Sequence, residues 1–177
     1  MSYQIIFFAI AAGLVLYVVG VYNGLVSLRT RIKAAVQEIG NQLKRQFELI
    51  PNLEASVKGY LAHEKSILEM LADARKMVAK GQDASAKVAE LLPKLQIVVE
   101  SNPQLKGSDV VGKLMEELRD TSDKIMYSRR TMIDLSADYN IRLVTFPSSV
   151  IANAFGFKPE KGLEVPESEL QTPQVSI

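Results

Sequence analysis

Apolar residues run through this chain in two rhythms. From Ile5 to Tyr22 they are continuous, 18 residues reading IIFFAIAAGLVLYVVGVY. At ~1.5 Å rise per residue that run spans ~27 Å as a helix, close to the ~30 Å hydrocarbon core of a bilayer. Beyond it the apolar positions recur at alternating three- and four-residue steps. Leu25, Leu28, Ile32, Ala35, Ile39, Leu43, Ile50, Leu53, Val57, Tyr60, Ile67, Leu71, Ala74 and Val78 fall on one stripe. That spacing is the seam of a helix packed on partner helices. It predicts one helix from Tyr22 to Val78, ~85 Å long at the same rise.

The stripe dissolves at KGQDASA, where Gly81 is the expected stop and Asp83 or Ser85 the next N-cap. A second, shorter helix is predicted from about Ser85 to Glu100, in two pieces if Pro93 breaks it. SNPQLKGSD, Ser101 to Asp109, reads as a loop. A third helix, capped by Ser108 or Asp109, carries Val111, Leu114, Leu118, Thr121, Ile125, Ser128, Met132, Leu135, Tyr139 and Leu143 on its stripe. Pro147 stops it, and VIANAFGF, Val150 to Phe157, is a short apolar segment ended by Gly156. The last 20 residues hold three prolines and no periodic apolar pattern, so they read as a mobile tail. The expected architecture is all-α: a transmembrane anchor over 1–24, an antiparallel long-helix bundle over 25–157, and a flexible tail over 158–177.

Charge gives the anchor a direction. The 21 Lys+Arg and 20 Asp+Glu all lie beyond residue 28. Met-Ser-Tyr-Gln has no basic n-region, which argues against a cleaved signal peptide. Ile5, Phe8, Leu14 and Val19 are expected in lipid and Tyr22 at the interface, in an aromatic belt. Arg29, Arg31, Lys33, Lys44 and Arg45 follow the span, with Glu38 the single acid before Lys44. The positive-inside rule therefore puts the bundle in the cytoplasm and Met1 outside. A net charge of +1 does not suggest nucleic-acid binding. The absence of cysteine removes thiolate chemistry and Cys-based zinc sites.

Candidate chemistry is sparse. His63-Glu64 does not open an HExxH motif, since the fifth residue is Ile67. The one histidine cannot supply a di-iron bundle, which needs two. There is no Gly-rich phosphate loop or G-x-S-x-G elbow. Glu116, Glu117, Asp120 and Asp123 interleave with Lys113, Arg119 and Lys124, as on a solvated helix face. Arg129-Arg130 reads as ordinary surface sooner than as a lipid-headgroup site. No cofactor, metal or catalytic residue is expected.

More telling are polar residues on the seam, Gln46 and Glu64, because such positions fix register or oligomer state when they find partners. Glu64 lies within one turn of Tyr60 and His63, so a local hydrogen-bonded cluster is expected there. Pro51 interrupts a hydrophobic phase that continues from Leu43 through Ile50 and Leu53 to Val57. Phase continuity favours a kink over a loop, with Asn52 placed to serve a freed carbonyl.

These segments together resemble the LemA family of bacterial membrane-anchored proteins. The resemblance is carried by YNGLVSLRTR (Tyr22–Arg31), by QLKRQFELIPNLEASVKGYLAHEK (Gln42–Lys65) and by YSRRTMIDLSADYNIRLVTFPSSVIANAFGFK (Tyr127–Lys158). It implies one N-terminal span with the N-terminus outside, a helical-bundle domain, and no established enzymatic activity or cofactor. Relatives are linked to membrane invagination in organelle-forming bacteria, or sit beside membrane protease or phosphatase-like genes. Within these blocks Gln42, Gln46, Pro51, Asn52, Tyr60, His63, Glu64, Tyr139 and Asn140 are the positions expected to shape packing and assembly.

The resulting expectation is a single-pass protein of the bacterial inner membrane whose partners are the bilayer and further copies of itself. The long α-helical stripe is too extensive for one short partner helix to cover, and uncovered apolar stripes mark association sites. A non-enzymatic scaffold that organises or shapes the membrane is the first reading. An adaptor for another envelope protein, such as a membrane protease, is the second, and an unrecognised hydrolase a remote third. If the third helix returns toward the bilayer, Val150, Ile151, Phe155 and Phe157 should dip into the interface. If it runs away, they should pack on the bundle or a neighbouring chain.

Overall fold

The computed structural model describes residues 2–61, 64–160 and 162, and every regular element among them is helical. The order is α1 Ser2–Val57, α2 Lys65–Ala79, α3 Ser85–Ser101, α4 Pro103–Lys106, α5 Asp109–Val144 and α6 Ser148–Ala154. His63 lies outside the described residues, as do residues 163–177 of the expected tail. The chain divides into two compact units, one of residues 1–35 with 130–177 and one of residues 36–129.

In the second unit, the helix expected from Tyr22 to Val78 is two helices. α1 ends at Val57, and Lys58 donates the last full-turn bond to the Glu54 carbonyl before Tyr60 N–H closes a tighter turn on Val57, 2.9 Å. Gly59, poor in helix propensity, sits at this break. The apolar phase passes to Leu61, which is buried, and leaves Tyr60 exposed. α2 then lies beside the end of α1, with Arg75 3.3 Å from Glu54. Folding back lets Ile67, Leu71, Ala74 and Val78 share one core with Leu53, Val57, Leu61 and α3. An unbroken helix would hold those two groups of residues apart, so burial favours the break. Glu64 occupies the N-cap of α2 instead of a seam, and its carbonyl accepts from Ile67 and Leu68 N–H.

The remaining boundaries follow local chemistry. Gly81, at φ 71°, ends α2 with Gly81 N–H on the Val78 carbonyl and Gln82 N–H on that of Met77, a Schellman closure. α3 continues through Pro93, which is exposed, while Leu91, Leu92 and Leu95 stay buried. The two-piece expectation fails because the lost bond lies on the solvent side and the core face is intact. The expected 101–109 loop contains the single turn α4, whose first N–H groups are taken by the Asn102 side chain. Ser108 Oγ accepts Val111 N–H, 3.4 Å, at the start of α5.

In the first unit, Leu25, Leu28 and Ile32 of α1 are buried, as are Met132, Leu135, Tyr139 and Leu143 of α5. The two segments are antiparallel, and a Cβ placed on Gly24 would lie 3.2 Å from Arg142 Nη1. After the cis Phe146–Pro147 bond, α6 buries Ile151 and Ala152. The α1 stripe, expected to remain partly uncovered, is buried from Leu25 through Ile32, Ile39, Ile50, Leu53 and Val57, with Leu43 half-buried. The 36 residues of α5 together with α2 and α3 supply the cover that a single short helix lacks.

Candidate functional site

The anchor comes first, because it sets the frame for everything near it. α1 contains the full charge-free run, and none of its most apolar 18-residue window is buried against the rest of the chain. Ile5, Phe8, Leu14 and Val19 are all exposed. A helix this long and apolar, with no protein around it, has the length and composition to cross a membrane.

At the end of that run an aromatic cluster forms. The Tyr22 ring lies 5.0 Å from that of Phe155 and 5.6 Å from that of Phe157, centroid to centroid. Tilted and edge-on contacts of this kind add to plain burial through the ring quadrupoles. The last residues of α5, α6 and the FGF turn therefore stand beside the exit of the anchor helix. Ile151 packs inward, whereas Val150 and Phe155 point out and Phe157 is half-buried. The parity left open by the sequence is resolved: α5 returns toward the anchor.

Residues 158–160 continue this arrangement. Tyr139 is fully buried, and its hydroxyl donates to the Lys158 carbonyl, 3.1 Å. The Asn140 amide makes a reciprocal pair with Glu160, donating to its carbonyl at 2.9 Å and accepting its N–H at 3.1 Å. Arg29 then holds the Glu160 carboxylate at 2.8 Å. The pair is partly solvated, so its direct contribution is ~0–1 kcal/mol. Burial pushes the Tyr139 phenol above its ordinary range, with the Arg29 charge opposing that shift and Glu160 adding to it.

The second unit carries a buried polar hub around Gln46. Its Nε2 donates to Ser85 Oγ at 3.0 Å and to Ser122 Oγ at 3.1 Å, and its Oε1 accepts Ala84 N–H at 3.3 Å. The Ser122 hydroxyl in turn donates to the Leu118 carbonyl, 2.9 Å, and that of Ser85 to Asp83 Oδ1, 2.6 Å. Arg129 closes the outer side, 3.1 Å from Asp83 Oδ2. It is half-buried structural support here, not the ordinary surface expected. One amide thus ties α1 to the start of α3 and to α5, with both its N–H bonds made. Gln42 is half-buried and donates to Glu38, 2.7 Å, while its Oε1 has no partner among the described residues.

The other expected positions do less. Pro51 lies within α1, so the loop reading is excluded, and it borders a cleft of about 220 Å³ with Glu54, Ala55, Lys58 and Arg75. Asn52 is exposed and offers its carbonyl to Ser56 Oγ, 2.8 Å. Tyr60 and Glu64 line an open cleft with Val98 and Asn102, and no hydrogen bond joins the two among the described contacts. The Glu90 carboxyl is held below its usual range by the Lys94 hydrogen bond and charge, then by the Lys87 charge, a solvated-face effect.

Sequence reasoning missed the partners more than the principals. Gln46 is conspicuous as a polar residue on a seam, but Asp83, Ser85 and Arg129 carry no such mark. Glu160 sits in a segment without periodicity, so nothing in the sequence ties it to Arg29 or Asn140. The model of the LemA family matches residues 35–177, most of the chain and all of the bundle beyond the first turns after the anchor. No curated protein matches the chain.

Proposed function

The chain belongs to the LemA family, and from that premise we propose a non-enzymatic, membrane-anchored bundle that self-associates and organises the bacterial inner membrane. The observation that carries this reading is the unbroken α1, which takes the charge-free run directly into the packed residues Leu25, Leu28 and Ile32. A helix passing from lipid into a packed body transmits orientation, as a scaffold requires and a flexible tether does not. Arg29, Arg31 and Lys33 follow the run, so the proposed topology has Met1 outside and the bundle in the cytoplasm.

Self-association no longer rests on the α1 stripe, which the chain covers itself. Support comes instead from two surfaces. Ala9, Gly13 and Gly20 recur along the anchor, and nothing of the chain lies within 4 Å of a Cβ built on either glycine. Small residues at such spacing allow close helix approach in lipid. Farther on, Ile133, Ala137 and Ile141 form an exposed seam on α5.

The test uses the full-length chain in native membranes, with Ile97→Cys, at an exposed position away from both proposed surfaces, as its one thiol. An impermeant maleimide should label it only after spheroplasts are opened, and labelling in intact spheroplasts reverses the topology. Amine-directed cross-linking should give multiples of the 19.6 kDa chain. A monomer alone sinks self-association, and a fixed-ratio product with a different envelope protein makes the chain an adaptor.

A further inference from the structure

Between Arg142 and Lys158 the chain carries no Asp, Glu, Lys or Arg for 15 residues. Among the described residues beyond the anchor, Val144 and Phe146 are the most exposed large apolar side chains, at 79 % each, and Val150 and Phe155 join them in the same uncharged segment at 60 % and 57 %. A water-facing surface of this size seldom concentrates so much uncovered apolar area without a partner. The bundle has folded around α6, burying Ile151 and Ala152, so the exposure is a feature of the packed state.

Position identifies the partner. Tyr22, the last residue of the membrane-crossing run, touches Phe155 and Phe157. The patch is therefore level with the point where the anchor leaves the hydrocarbon. Charges resume at once on either side of it, with exposed Arg142 before and exposed Lys158 after. An apolar, aromatic-rich surface rimmed by basic side chains is the pattern of a segment seated at the headgroup and acyl boundary.

We infer that the turn from Val144 to Phe157 is a second, monotopic membrane attachment, seated in the leaflet from which the anchor emerges. The inference rests on the membrane-anchored reading of residues 5–22. Two attachments from opposite ends of the chain hold α1 and α5 of this unit at one height and azimuth over the bilayer. A single span would leave both rotation and tilt free. A wedge of aromatic side chains entering one leaflet also expands that leaflet relative to the other.

The chain has no tryptophan, so single-Trp variants report cleanly. Phe146→Trp and Val150→Trp change exposed positions outside the Tyr22–Phe155–Phe157 ring cluster, and Leu14→Trp marks the anchor. Each full-length variant is reconstituted in phosphatidylcholine–phosphatidylglycerol vesicles with bromines either high or low on the acyl chains. Phe146→Trp and Val150→Trp should emit at shorter wavelength than Ile97→Trp, an exposed bundle control. They should also be quenched severalfold more by the shallow bromines than by the deep ones. Leu14→Trp should be quenched most by the deep bromines. If Leu14→Trp is quenched and the two turn probes are not, the attachment is wrong and the anchor stands. A blue shift without bromine quenching assigns the patch to a second copy and overturns the inference. If no probe is quenched, the anchor reading itself fails.

Discussion

Gln46 puts a primary amide where a leucine would pack without any desolvation cost, and it is tolerated because both its N–H bonds and one acceptor bond are made. Gln46→Ala strands Ala84 N–H and leaves a cavity, so it should destabilise the chain by about 2–4 kcal/mol. Gln46→Met keeps the volume, and Ser85 and Ser122 retain their own acceptors. Its cost should fall to about 1–2 kcal/mol, mostly the unpaired Ala84 N–H. Thermal unfolding of the detergent-solubilised chain, followed by circular dichroism, measures both, and a Gln46→Met chain as stable as the parent would refute the hub's role. Tyr139 makes a different prediction. Its phenol is raised by burial, so the folded state holds that proton more tightly than the unfolded state. The contribution is fully present below the ordinary pKa of 10.0 and is lost as pH rises through the folded value. Tyr139→Phe should cost about 1 kcal/mol at neutral pH through the lost bond to Lys158, and should flatten the alkaline loss of stability. A parallel alkaline profile for both proteins would remove Tyr139 from that transition.

Elements end here for reasons that single residues do not settle. Pro51 is the residue most expected to interrupt α1, yet the helix persists to Val57 because Ile50, Leu53 and Val57 are fully buried on both sides of it. Gly59, a weaker breaker, sits at the actual end, since turning there lets α2 join the same core. Proline inside a helix costs up to ~3 kcal/mol relative to alanine. Pro51→Ala should therefore leave helicity unchanged or higher and raise the unfolding midpoint, with an altered cross-linking pattern if the proline shapes assembly. Reduced helicity in the circular dichroism spectrum would show that the ring makes packing contacts worth more than the missing bond. An unchanged pattern would leave Pro51 as a tolerated irregularity.

Across the whole molecule, the apolar surface divides into what the chain covers and what it leaves open. The α1 stripe is covered, which removes the simplest reason for copies to pack through it. Among the described residues, the open apolar surface includes the anchor, the α5 seam at Ile133 to Ile141, and the turn beside Tyr22. Lipid is expected on the first and third, and a second copy on the anchor's small residues and the seam. The absence of both cysteine and tryptophan from the sequence makes each expectation accessible to a single introduced reporter.

Much of this molecule is determined along the chain. The charge-free run, the α1 and α5 seams, the Gly81 stop and the all-helical composition are periodic or compositional signals, readable wherever the local pattern repeats. Gln46 is visible for the same reason, as a polar residue in phase with an apolar seam. The tertiary structure decided what local pattern cannot encode: where the helix breaks, which way α5 runs, and which groups satisfy a buried amide. A break after Val57 gains its stability from residues far along the chain, and Glu160 meets Arg29 across 131 positions. Burial and hydrogen-bond satisfaction are properties of the folded neighbourhood, so they become legible only once distant segments are brought together.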